Sequence, residues 1–314
     1  MALLDVFLHT LDVTLPVFAM VFLGIALKRI GWIDAHFIST ASMLVFKATM
    51  PTLLFLSIIK ADLDMIQPDL IGYFLGYSTL SFFLAWGWAL WRCPVEERGV
   101  FTQGAFRGNC GIVGLALAAS MYGNYGLSLG GIMAGAIIVI YNILSAIVLA
   151  IYSPSIQSDI GSILRNLARN PLILCVLLAI PVAYWQVPLP SWLMTSGEYF
   201  GSMSLPLALI CIGGTLSIRS VKAGSRLAID ASLWKTVWLP ALGVSGALML
   251  GYRDAALGTL FLFLASPTAA VSFVMAKAAN ANTKLAANII VVSTFSCMLT
   301  VSLGVFLLTL SGLI

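Results

Sequence analysis

Ten runs of about twenty mostly apolar residues follow one another along the 314-residue chain, near 8–28, 37–59, 69–91, 99–122, 127–151, 171–187, 197–218, 230–251, 255–278 and 285–311. A helix of about twenty such residues matches the hydrocarbon thickness of a bilayer. The expected fold is therefore an all-α integral membrane protein with ten transmembrane helices. Charged residues are only 9% of the chain and mean hydropathy is +1.04, against about 25% charged in soluble domains. The sixth run is short and contains Pro181, with Asn170 and Pro171 marking its start.

The net charge of +4 does not cluster. It reads as loop asymmetry, not as a nucleic-acid footprint. With the N-terminus outside, the cytoplasmic side receives Lys28, Arg29, Arg92, Arg98, Arg165, Arg169, Arg219, Lys222, Arg226, Lys235, Lys277 and Lys284, and the other side keeps Lys60 and Arg253. Cations favour the cytoplasmic face, so both termini are expected outside, in a membrane of the bacterial inner (plasma) type. Acids Asp62, Asp64, Asp69 and Asp254 fall on the outer connections. Met1–Thr10 carries Asp5 and His9 and no basic start, so the first run is expected to stay as a helix. Cys93, Cys110, Cys175, Cys211 and Cys297 have no CxxC spacing; neither disulfides, a metal site nor a cofactor is expected.

Two spans are interrupted. The fourth contains RGNCGIVGLALAASMYG, Arg107 to Gly123, with Arg107, Asn109, Cys110 and Gly111 at bilayer depth. The ninth contains LASPTAAVSFVMAKAANAN, with Ser266, Pro267, Thr268 and Ser272 inside an apolar run. Polar and Gly-rich sequence at that depth is tolerated where it is buried in protein or lines a cavity. Close packing by small residues is the competing account for the fourth span. A repeat connects the two. Pro16 matches Pro171 and Pro51 matches Pro206 at one offset of 155, and the same shift lays Gly111 and Ile112 on Ser266 and Pro267. Two halves of five spans, 1–152 and 171–314, joined by a cytoplasmic linker 153–170, then have opposite orientation. In such inverted repeats, paired interrupted helices mark the substrate site. Pro51 and Pro206 are expected to kink the second and seventh spans for packing, with substrate contact as the alternative.

These motifs, with VFKATMPTLLF and SMSLPLALICIGGTLS, resemble the auxin efflux carrier family, which includes plant PIN carriers and bacterial organic-acid carriers. The resemblance covers essentially the whole chain. It implies a ten-helix inverted-repeat fold related to sodium/proton antiporters and bile-acid symporters, with the fourth and ninth helices broken and crossing at mid-membrane. It also implies a homodimer, and a substrate position for Asn109. The chain departs from the plant pattern at Ala116 and Ser272, where the crossing prolines stand in those relatives. Lys47 stands where many relatives carry Asn. The connection after the fifth span is short, unlike the large loop of long PIN carriers.

The expected function is a secondary transporter of a small organic anion, a carboxylate such as malonate, malate or an auxin-like acid, with a passive channel or facilitative pore as the alternative. No enzyme is expected: His9 and His36 lie near span ends and there is no HExxH or mid-membrane Asp pair. The acids all fall in loops or near span ends, so a buried carboxylate is not expected to carry a coupling proton. Arg107 sits roughly 13 Å into its span at 1.5 Å per residue, and Lys47 reaches a similar depth. Each costs about 2.5 to 3.5 kcal/mol at a span centre. Snorkelling or bonding to freed carbonyls is one compensation, and an anionic substrate is the other. Two helix N-termini at the breaks also favour an anion. The GxxxG pairs Gly126/Gly130 and Gly131/Gly135 indicate close helix packing, either within one subunit or between two.

Overall fold

The computed structural model describes residues 3–60, 67–152, 169–216 and 226–314. Most of the 153–170 linker, the cations Arg165, Arg219 and Lys222, and the acids Asp62 and Asp64 lie outside the described residues. The helices are α1 (Leu3–Arg29), α2 (Ala35–Ile59), α3 (Pro68–Arg92), α4 (Arg98–Phe106), α5 (Cys110–Tyr152), α6 (Pro171–Tyr184), α7 (Ser191–Ser202), α8 (Ser204–Thr215), α9 (Arg226–Leu233), α10 (Leu239–Met249), α11 (Asp254–Ala265), α12 (Val271–Ala278) and α13 (Thr283–Leu310). Among the described residues, five are long and apolar enough to cross a membrane: α1, α2, α3, α5 and α13.

The other apolar runs of the sequence do not appear as single long helices, for identifiable reasons. Two are cut at the breaks that separate α4 from α5 and α11 from α12. The 43-residue α5 instead covers two runs, because Gly123 at φ 54° and ψ −130° turns the chain back on itself. That left-handed φ is open to glycine and strained for other residues. Local chemistry sets several starts. Asp34 accepts from the Phe37 N–H at the head of α2, Asn170 from Leu172 at α6, and Asn282 from Leu285 at α13. These side chains satisfy helix-end donors that have no partner in the helix.

Proline is accommodated by widened turns. A π-helical turn at Val45–Thr49 precedes Pro51 within α2, and another at Trp234–Trp238 precedes Pro240 and joins α9 to α10. A proline ring collides with the carbonyl four residues back and has no N–H to donate. A π turn is the helical distortion that absorbs such a mismatch. Pro206 lies in the first turn of α8, just after the α7–α8 interruption at Met203.

The helices pack as two groups. In the first, α1 packs on α8, and α2 on α6 and α7; in the second, α4 packs on α3 and α5, α11 on α5 and α10, and α9 on α13. The groups meet where α2 and α6 face α5, and where α1 faces α13. The GxxxG glycines are used inside the chain: a Cβ on Gly131 would press on Leu54 of α2, on Gly135 on Val176 of α6, on Gly130 on Phe263 of α11, and on Gly126 on the Ala118 carbonyl of the other arm of α5.

Candidate functional site

The two breaks cross. Gly108 and Thr268 form an isolated antiparallel bridge, in which the Asn109 N–H donates to the Pro267 carbonyl at 2.7 Å and the Ala269 N–H to the Arg107 carbonyl at 3.1 Å. Backbone groups released by the interrupted helices thus satisfy one another, which is what a water-poor interior demands. Side chains complete the arrangement. Thr268 Oγ1 donates to the Gly104 carbonyl at the end of α4, and its N–H reaches Ser293 Oγ of α13. Ser266 Oγ and Cys110 Sγ both donate to the Phe263 carbonyl of α11.

Gly108 has a steric reason to be glycine. A Cβ there would lie 2.7 Å from Ser266 Oγ and 3.1 Å from both Cys110 Sγ and Lys235 Cε. A side chain at this contact would have to displace its neighbours.

A cavity of about 320 Å³ opens against the crossover. Its wall includes residues 107–112 and 269–271, with α2, α6 and α8 opposite and the second arm of α5 alongside. It therefore lies between the two helix groups. Cys110 and Gly111 begin α5, and Ala270 and Val271 begin α12, so both helix N-terminal ends border it. Among the described residues the Asn109 side chain makes no hydrogen bond, and the residue lines the cavity. Apolar residues such as Phe46, Met50, Ile137 and Ile212 form much of the remaining surface, and among the described residues no acid lines it.

Arg107 borders the cavity and is 4% exposed. Its guanidinium donates to the Tyr141 carbonyl, Ser145 Oγ, Asn142 Oδ1 and the Met275 sulfur at 2.7 to 3.1 Å. All four acceptors are neutral. They orient the group and leave its charge uncompensated.

The sequence-derived candidates separate by position. Arg107, Asn109, Cys110 and Gly111 line the cavity. Ser266, Thr268 and Ser272 are buried away from its wall, and Pro267 contributes its carbonyl to the crossing. Lys47 is exposed and lies off the cavity. Ala116 is buried within α5, beyond the break at residues 107–109, and Ser272 lies in the first turn of α12. Pro51 and Pro206 sit in helices away from the crossing. In the crossing, Gly108 faces Thr268, 160 residues on.

Two residues need correction or addition. Lys235, counted above with the cytoplasmic cations, is only 2% exposed and donates from Nζ to the Leu264 carbonyl. The widened turn before Pro240 carries it inward; a lysine five residues from the start of an apolar run gives no such signal. Asn142 was missed, although an Asn amid IIVIYNILSAIVL is a polar residue at bilayer depth. That signal was available in the sequence.

A family model described as membrane transport protein matches residues 9–305. The chain is also similar to two proteins described as uncharacterized transporters. One, from Methanocaldococcus jannaschii, is 24% identical over 312 residues, covering 93% of this chain and 97% of the relative. The other, from Methanothermobacter thermautotrophicus, is 24% identical over 307 residues, covering 95% and 98%. With a match over nearly its whole length, the chain belongs to the membrane transport protein family, the auxin efflux carrier family that its motifs resemble.

Proposed function

We propose that this membrane transporter is a secondary carrier of a small organic anion, moving a carboxylate by alternating access at the crossover. The observation that carries the proposal is the cavity itself. It is bordered by two helix N-terminal ends, a guanidinium with neutral partners and the free Asn109 amide, and no acid among the described residues lines it. Helix N-termini attract anions through unpaired N–H groups and the helix dipole. The apolar wall suits the carbon skeleton, and a volume of about 320 Å³ falls at the small end of ligand pockets, roughly 300 to 1,000 Å³.

The carrier is proposed to consist of ten spans in two inverted halves, 1–152 and 171–314, with 153–170 between them. In support, Thr49 and Ser204, separated by the proline offset of 155, share a hydrogen bond of 3.0 Å. Residues related by a two-fold axis meet in this way when they lie on it. The cavity is reached by the first half of α2, the start of α6 and the end of α8, the side that carries Lys28, Arg29 and Arg169. By the charge rule this side is cytoplasmic and both termini are outside, so the described state faces inward. On the other side, serines close the two groups: Ser120 Oγ donates to the Val13 carbonyl, Ser128 Oγ to the Ser57 carbonyl and Ser302 Oγ to Thr14 Oγ1. A homodimer is proposed with it, through faces other than the internal GxxxG glycines. Native mass measurement in mild detergent giving monomers alone removes that part.

The test is uptake by reconstituted protein across a panel of monocarboxylates, dicarboxylates, their amides and amines. Saturable uptake with counterflow of a carboxylate is expected. Preference for an amine overturns the sign of the charge, and non-saturable flux without counterflow replaces the carrier with a pore.

A further inference from the structure

Four helix ends meet at the crossover, not two. The C-terminal ends of α4 and α11 converge there with the N-terminal ends of α5 and α12. Each end carries roughly half an elementary charge, negative at a C-terminus and positive at an N-terminus. The two kinds of end oppose one another, so how fully the N-terminal ends at the cavity wall express their positive sign depends on the C-terminal ends behind them. What caps the C-terminal ends therefore decides.

The two caps are unlike. Gly104 at the end of α4 receives the neutral Thr268 hydroxyl. Leu264 at the end of α11 receives the ammonium of Lys235. That ammonium is buried, has no acid partner among the described residues, and its stem lies against Gly108, which borders the cavity. Around it are Ser266, Cys110 and Cys297, with Arg107 one residue along the crossing strand. A unit charge on a desolvated carbonyl exceeds the half charge of the end it covers.

We propose that Lys235 is the site's built-in cation: it overrides the negative end of α11, gives the cavity a positive potential, and does what a bound alkali cation on those carbonyls would do. It is a specificity-determining residue that acts without touching the substrate. The proposal rests on the anion-carrier reading and deepens it.

The potential can be measured with no substrate. In Ala270→Cys protein, with Ala270 on the cavity wall, the rates of thiol modification by the anionic sulfonatoethyl and the cationic trimethylammonioethyl methanethiosulfonates are compared, after subtracting reaction of the parent. The anionic reagent is expected to be favoured. Lys235→Met should lower the anionic-to-cationic rate ratio about tenfold or more, taking an effective dielectric constant on the order of 20, while Lys235→Arg keeps it. An unchanged ratio in folded Lys235→Met overturns the proposal, and leaves the carrier reading to the uptake panel. A second arm uses only the unsubstituted protein, so it survives a variant that does not fold. Its melting temperature should be equal in sodium, potassium and choline chloride at one ionic strength; selective stabilisation by sodium or potassium would mean that an alkali cation still binds the crossover carbonyls, and overturns it as well.

Discussion

The two crossing strands look alike in backbone and differ in what they offer. Residues 107–109 turn chemistry outward: the Asn109 side chain is free and lines the cavity, and Arg107 borders it. Residues 266–268 turn theirs inward, with Ser266 on the Phe263 carbonyl and Thr268 on Gly104, and it is the apolar residues Ala269, Ala270 and Val271 that reach the cavity wall. A near-symmetric backbone thus hosts a division of labour. One strand supplies groups for a ligand, and the other holds the crossing together. Substitutions in the first should act on transport, and those in the second on stability.

The largest effect is expected at Arg107, where both roles meet. Arg107→Gln removes the cavity's bordering guanidinium and leaves Asn142 Oδ1 and the Tyr141 carbonyl without their donor. Losing one partner of a buried charged hydrogen bond costs about 1.5 to 3 kcal/mol. Uptake of the selected carboxylate should fall by about a hundredfold and the melting temperature should drop with it. Arg107→Lys keeps the charge without the planar fork and should recover part of the uptake. Full uptake in Arg107→Gln would erase the proposed role of the first strand.

Asn109→Ala separates the two roles cleanly. Its amide has no partner among the described residues, so stability should hold while the apparent affinity falls by about tenfold, the worth of one hydrogen bond to a charged group. Thr268→Val is the mirror experiment. It removes the Oγ1 bond to Gly104, should cost about 1 kcal/mol in unfolding, and should leave affinity nearly unchanged. If the two variants exchanged phenotypes, the division between the strands would be wrong.

The sequence was informative about where the chain breaks and much less about which way its side chains turn. Polar residues at bilayer depth around Asn109 and Ser266 mark both breaks, because broken backbone needs burial wherever it occurs. The sequences RGNC and SPTA carry similar signals, however, and the turn of each strand follows from the antiparallel pairing of Gly108 with Thr268, a contact between residues far apart in the chain. Lys235 was hidden for a related reason. Near the start of an apolar run, a lysine has the pattern of an interfacial anchor, and only the packed turn before Pro240 places it behind Gly108. Asn142 was legible and overlooked.

The smallest effect is expected at Lys47, where the two strands have no part. Depth along the span made it resemble Arg107: both are cations well inside apolar runs with no mid-membrane acid nearby. The structure removes the equivalence. Arg107 is 4% exposed and held by neutral acceptors, whereas Lys47 lies exposed on the outer face of the π turn in α2. From that face a flexible four-carbon stem carries the ammonium toward the headgroups. Its charge is then solvated by lipid and water, not by a ligand, and it stands apart from the cavity wall. Lys47→Asn should therefore leave carboxylate affinity within a factor of about two and change stability by no more than about 0.5 kcal/mol, as for other exposed substitutions. A loss of uptake comparable to that of Arg107→Gln would place Lys47 in the transport path in another state of the cycle, and would extend the site from the crossover to α2.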